Sequence, residues 1–185
     1  MSPELRQRFL QLVRELAVLR GDFTLASGEK ATYFFDMKMV TLHPEGAYLV
    51  GKLVYESIAD AAVDAVGGLT LGADPIAAAV AVVSHMEGRP IPAFIERGGS
   101  KDHGTQKSIE GYMREGSRVV IVEDVITKGG ATLKAIELAE AAGCRVVKVV
   151  ALVDRHRGGS DEVRRRGYDF VAILHADAGG ELSLG

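Results

Sequence analysis

The stretch "VVIVEDVITKGG", residues 119–130, decides how this chain is read. Four apolar residues run straight into two adjacent carboxylates, Glu123 and Asp124, and then into a small, polar, glycine-ended turn. An apolar run of this kind fits a strand covered on both faces, as in a parallel sheet. Two neighbouring acids repel each other, and both need water, a cation or hydroxyl groups. In an open parallel sheet, ligands bind beyond the carboxyl ends of the strands, which is where this pair falls. Residues 125–132, "VITKGGAT", are mostly small and let the backbone wrap closely around a ligand. Their N–H groups and the start of the next helix make an anion site. Thr127, Lys128 and Thr132 add hydroxyl and ammonium donors. A ligand suited to both halves carries a phosphate at one end and hydroxyls, or a bound divalent cation, at the other. A ribose 5-phosphate fits that description. The Walker pattern and the dinucleotide glycine fingerprint are both missing from this turn.

Around this stretch, strands and helices alternate. "DAVGGLTLGADP" (64–75) reads as a short strand, a glycine-rich turn and a helix capped by Asp74 with Pro75 at its first position. "IPAFIE" (91–96), "RVVKVVALVD" (145–154) and "YDFVAIL" (168–174) read as further strands, and "ATLKAIELAEAAG" (131–143) as a helix. The pattern predicts an α/β fold, a mainly parallel sheet flanked by helices. The first 60 residues or so do not alternate. Ser2-Pro3 starts a helix whose apolar face is Leu5, Phe9, Leu12, Val13 and Leu16, and which Gly21 is expected to end. "DFTLASGEKATYFFDMK" (22–38) reads as a hairpin around Ser27-Gly28, and a second helix starts near Pro44. The expectation is one domain over 1–185: a small N-terminal helix/strand hood over about 1–60, packed on an α/β core over about 61–175.

Composition limits the function classes. The chain has 185 residues, 47% apolar and 25% charged, with a net charge of −3. That is the balance of a globular protein with a real core, and it carries no global basic signature for nucleic acid. The single cysteine, Cys144, rules out an internal disulfide and a multi-cysteine metal site, and reads as a small buried residue. No apolar run reaches the ~20 residues of a membrane span, and the N-terminus has a helix pattern rather than that of a signal peptide. A cytoplasmic setting is expected. No two of the five histidines have metal-ligand spacing on one helix, so a zinc site is not expected. Residues 97–108, "RGGSKDHGTQKS", hold no large apolar side chain but carry Arg97, Lys101, His103 and Lys107. Such a basic segment suits closure over an anion.

The stretch from 119 to 132 resembles the phosphoribosyl-diphosphate signature of the type I phosphoribosyltransferases. Three more stretches are similar to the orotate branch of that family: "FTLASGEKATYFFD" (23–36), the Lys-Asp-His-Gly centre of 97–111, and "VDR" (153–155). "GGLTLGADP" (67–75) looks like the diphosphate-side loop of one bacterial group. The resemblance covers residues 21–174. It implies the type I phosphoribosyltransferase fold and transfer of a phosphoribosyl group from phosphoribosyl diphosphate (PRPP) to orotate, in pyrimidine biosynthesis, through an oxocarbenium-like transition state. It also implies the roles of single residues. Glu123 and Asp124 face the ribose hydroxyls, and the turn Val125, Ile126, Thr127, Lys128, Gly129, Gly130 and Ala131 cradles the 5-phosphate. Arg97, Lys101 and His103 bind the diphosphate side. Lys101, His103 and Asp124 are the catalytic candidates, and Arg155 with Thr127 binds orotate. No protein metal cage is implied, since Mg²⁺ would be held mainly through PRPP. The expected partners are these substrates and a second copy of the chain, whose site the loop 97–108 closes over; no nucleic acid or membrane is expected. The chain departs from the family at Ala26, Gly72 and Gly98, where relatives often carry basic residues. Backbone N–H groups of 70–73, Lys30 or Lys38 are the candidates to replace them. Two other readings stay open: a regulator that senses PRPP or nucleotide without turnover, using the arginines at 155, 157 and 164–166, and a purine phosphoribosyltransferase.

Overall fold

The computed structural model describes residues 1–24, 30–97 and 109–184. Helix α1 (Pro3–Leu16) starts as the sequence predicts, with the Ser2 hydroxyl accepting from the Leu5 N–H at 3.4 Å and proline in the first turn. It ends at Leu16 rather than at Gly21, because strand β1 (Val18–Thr24) pairs antiparallel with β2 (Lys30–Phe35) from Val18 onward. The ladder hydrogen bonds of that pairing outweigh further helix. Gly21 lies instead in a bulge of the hairpin, with φ of +154°. The expected turn at Ser27-Gly28 lies outside the described residues. Helices α2 (Lys38–Thr41) and α3 (Pro44–Ser57) complete the hood, the second with its proline in the first turn.

The core follows as β3 (Ala65–Leu69), α4 (Ala73–Met86), β4 (Ala93–Glu96), β5 (Ile109–Gly111), β6 (Arg118–Ile126), α5 (Gly130–Ala141), β7 (Arg145–Asp154), α6 (Gly159–Arg165), β8 (Phe170–Ala176) and β9 (Leu182–Leu184). The seven strands lie in the order β5-β4-β3-β6-β7-β8-β9. The five central strands run parallel, and only the edge strands β5 and β9 are antiparallel. The chain moves outward from β3 to β4, then returns to the other side of β3 with β6. The carboxyl ends of β3 and β6 therefore flank the crevice where strand order reverses, the place such sheets use for ligands. Helix α4 is capped by the Gly72 backbone, not by Asp74, which sits inside the first turn and accepts from the Thr70 hydroxyl at 3.3 Å.

Each sheet face has its own apolar layer. Phe9, Val13, Leu53 and Val80 of the helices meet Val120, Leu152 and Ile173 on the hood side. Ile136, Ala139 and Val163 meet Ile121, Val149 and Ala151 on the other. Full burial of such side chains contributes roughly 1.5–3 kcal/mol each, so the hood is fastened to the sheet by many small terms. Cys144 is buried, with its thiol donating to the Arg114 carbonyl at 3.2 Å. No helix among the described residues is long and apolar enough to cross a membrane.

Candidate active site

Strand β6 does not stop at the acids. Ladder pairing continues through Glu123 opposite Ala151 and Val125 opposite Val153 to Ile126 opposite Asp154. The acids are thus held by a central strand rather than by a loose turn. Glu123 accepts from the Thr132 hydroxyl on α5 at 2.9 Å. Burial, with the Asp124 charge next in size, holds its carboxyl well above the ordinary value. Asp124 accepts from the Val125 N–H at 2.8 Å and lies against Gly72 at the end of the β3 turn. A Cβ at Gly72 would come within 2.8 Å of its carboxylate. Lys38, at the start of α2, faces the same end. Its ammonium pairs with Asp36 at 2.9 Å, and Asp36 and then Asp124 raise its pKa against the cost of burial.

Beyond the acids the backbone folds into a cup of about 160 Å³, lined by Glu123, residues 125–131 and Thr132. Gly129 adopts φ of +80°, which turns the chain into α5 with the free N–H groups of its first turn at the cup. The turn is buttressed from behind. The Gly159 N–H donates to the Thr127 carbonyl at 2.9 Å, and the Arg155 N–H donates to the Ile126 carbonyl at 3.1 Å. These two bonds place the start of the β7–α6 connection beside the cup. The Arg155 guanidinium lies 4.6 Å from the ring centre of Tyr33 on the hood and donates to its hydroxyl at 3.3 Å. A planar cation held on an aromatic face suits bidentate recognition of a planar carboxylate.

A family model described as the phosphoribosyl transferase domain matches residues 36–173. An orotate phosphoribosyltransferase of Nostoc is 46% identical over 171 residues, 92% of this chain and 82% of the relative. This chain belongs to the orotate phosphoribosyltransferase family. A phosphoribosyltransferase from Corynebacterium diphtheriae superposes with a TM-score of 0.83 at 39% identity, covering 93% of this chain and 96% of that one. The Mycobacterium tuberculosis orotate phosphoribosyltransferase in complex with PRPP gives 0.78 at 34% identity, over 95% and 91% of the two chains. The type I phosphoribosyltransferase fold expected from the sequence is the fold found.

Of the residues that the orotate phosphoribosyltransferase resemblance singles out, Glu123, Val125, Ile126, Thr127, Lys128, Gly129, Gly130 and Ala131 line one cup. Asp124 stands next to it and Arg155 is tied to it through Ile126. Arg97 is exposed at the end of β4, pairs with Glu110 at 3.5 Å and does not line the cup. Lys101 and His103, with Ala26, Gly98 and residues 98–108 of the loop, lie outside the described residues. Of the proposed replacements for missing lysines, Lys38 stands within electrostatic range of Asp124. Sequence reasoning missed the Tyr33 shelf for Arg155 and the Gly159 buttress. The signals were present in "TYFF" (32–35) and "RGG" (157–159), but each needs a partner far away in sequence. It also read the histidines as unrelated, whereas His156 and His175 meet beside Asp154.

Proposed function

We infer that this chain, acting as one phosphoribosyltransferase unit, converts orotate and PRPP to orotidine 5′-monophosphate and diphosphate. The carrying observation is the meeting of three chemically distinct groups at the switch point of the sheet: the acid pair, the N–H-lined cup and Arg155. In the reaction the C1′–O bond to diphosphate breaks, the C1′–N1 bond to orotate forms, and N1 gives up its proton. The ribose becomes cation-like as diphosphate leaves. Asp124 and Glu123 hold the ribose hydroxyls, and Asp124 places carboxylate charge near that developing cation. The cup holds the 5-phosphate through N–H donors fixed before substrate arrives, so little ordering remains to be done on binding. Arg155 and Thr127 hold orotate in line with C1′. Lys101 and His103 serve the leaving diphosphate.

The donor set fits Mg²⁺. The acid pair supplies hard carboxylate oxygens, and Gly72 leaves the space beside Asp124 that a side chain would fill. Mg²⁺ held mainly through PRPP, with Asp124 as the carboxylate at hand, would neutralise diphosphate charge when bound. A homodimer completes the reading. Leu42, Tyr48, Val82 and Met86 line an exposed apolar groove of about 480 Å³ between α2, α3 and α4, the kind of face that a second copy covers.

Following orotate absorbance in the presence of PRPP and Mg²⁺ tests the reading. The wild type should consume orotate, and Arg155→Ala should raise the KM for orotate at least tenfold while the KM for PRPP moves little. Binding of PRPP without orotate loss would favour the sensing regulator, and turnover of a purine base instead would favour the purine enzyme.

A further inference from the structure

Strand β7 ends at Asp154, and His175 on β8 stands in register beside it. The chain then turns at His156, whose φ of +49° is the only positive value at a non-glycine among the described residues. Asp154 is fully buried. Its Oδ1 accepts from the His156 N–H at 2.9 Å, but its Oδ2 has no hydrogen-bond partner and lies 3.5 Å from His156 Nδ1. His156 Nε2 and His175 Nδ1 are 2.8 Å apart, and the two rings lie nearly parallel. One donor atom from each of the three residues falls within 4.8 Å of the others.

We propose that Asp154, His156 and His175 form a binding site for a borderline divalent transition ion, Zn(II) foremost. Two imidazole nitrogens and one carboxylate oxygen are a Zn(II) donor set, and tetrahedral bonds of about 2.0–2.2 Å hold donors about 3.3–3.6 Å apart, inside the 4.8 Å span of this cluster. The buried, unpartnered Oδ2 separates this cluster from two chance surface histidines. A carboxylate oxygen isolated from water is costly, and a bound cation offsets that cost. His175 is half-buried beside Asp154 across the β7–β8 ladder, and its ring presents one nitrogen to the cluster. The charges of Arg164 and Arg6 reach the same ring and oppose an added dication. They keep the affinity below that of the same donors without nearby cations. Mg²⁺ prefers oxygen-only surroundings and does not compete here. Asp154 and His156 flank Arg155, so the ion clamps the segment that carries Arg155 to the edge of the cup.

The test is calorimetric titration of the metal-free full chain with Zn(II) near neutral pH in excess Mg²⁺, beside His156→Gln, His175→Gln, the double variant and a His85→Gln control. The expected result is one micromolar site per chain, with a rise in Tm on binding. Each single substitution should weaken it about tenfold or more, the double variant should abolish it, and the control should leave it intact. Equal Tm values without metal would show that the variants are folded. Binding that survives the double substitution, or a wild type that binds no tighter than the double variant, overturns the proposal.

Discussion

Glu96 closes β4 with its side chain fully buried, and neither carboxylate oxygen has a hydrogen-bond partner among the described residues. Burial pushes its carboxyl up to about 8 from the ordinary 4.5. Between those two values the folded chain keeps a proton that the unfolded chain has released. The stabilisation is whole below about pH 4.5 and is lost as pH rises through about 8. Glu96→Gln should therefore lose less stability than the wild type between pH 5 and pH 9, by an amount on the order of a few kcal/mol. Denaturant melts at both pH values check this, and parallel losses in the two proteins would rule it out. Gly72 makes a second point at this scale. The family resemblance leads to the expectation of a lysine there, yet here even a Cβ would press on Asp124. With Lys38 facing Asp124 from the hood, the lost cation has a spatial neighbour that no local pattern would reveal.

The turn after β6 and the start of α6 form one packed unit. A Cβ added at Gly159 would lie 2.6 Å from the Gly129 nitrogen and 2.7 Å from the Thr127 carbonyl oxygen, both rigid backbone. Gly159→Ala must push the cup out of shape. It should cost about 1–3 kcal/mol of stability and raise the KM for PRPP several-fold, while the KM for orotate changes less. Thermal melts and steady-state kinetics read both effects, and an unchanged KM for PRPP would mean that the cup tolerates the shift. At this scale the sequence was legible where periodicity is strong. Residues 118–124 and 145–154 were readable as strands from their apolar runs, although β6 goes on past the acids to Ile126, and α5 lies within a residue or two of its expected span. It was least legible where pairing overrode local preference. Gly21 looks like a helix stop but serves a hairpin bulge, and Asp74 looks like a cap but answers Thr70. The edge strands β5 and β9, three residues each, carry too little pattern to be seen without their neighbours.

Over the whole molecule, the apolar groove between α2, α3 and α4 bears on assembly. Val82 is 62% exposed and Met86 72%, values that cost solubility unless a partner covers them. Val82→Asp should turn a dimer into a monomer in sedimentation, and activity should fall with it if the partner's loop completes each site. A wild type that sediments as a monomer would remove the groove from that role. The family, the α/β alternation and the glycine-ended turn after the acid pair were already written in the residue order. They depend on short-range periodicity and on spacing within one strand-turn-helix unit. The seating of Arg155 on Tyr33, the Gly159 buttress, the approach of Lys38 to Asp124 and the meeting of Asp154 with His156 and His175 were not. Each joins residues that the strand order and the docking of the hood bring together, and the registers that do so are set by packing across the sheet rather than by any local run of residues.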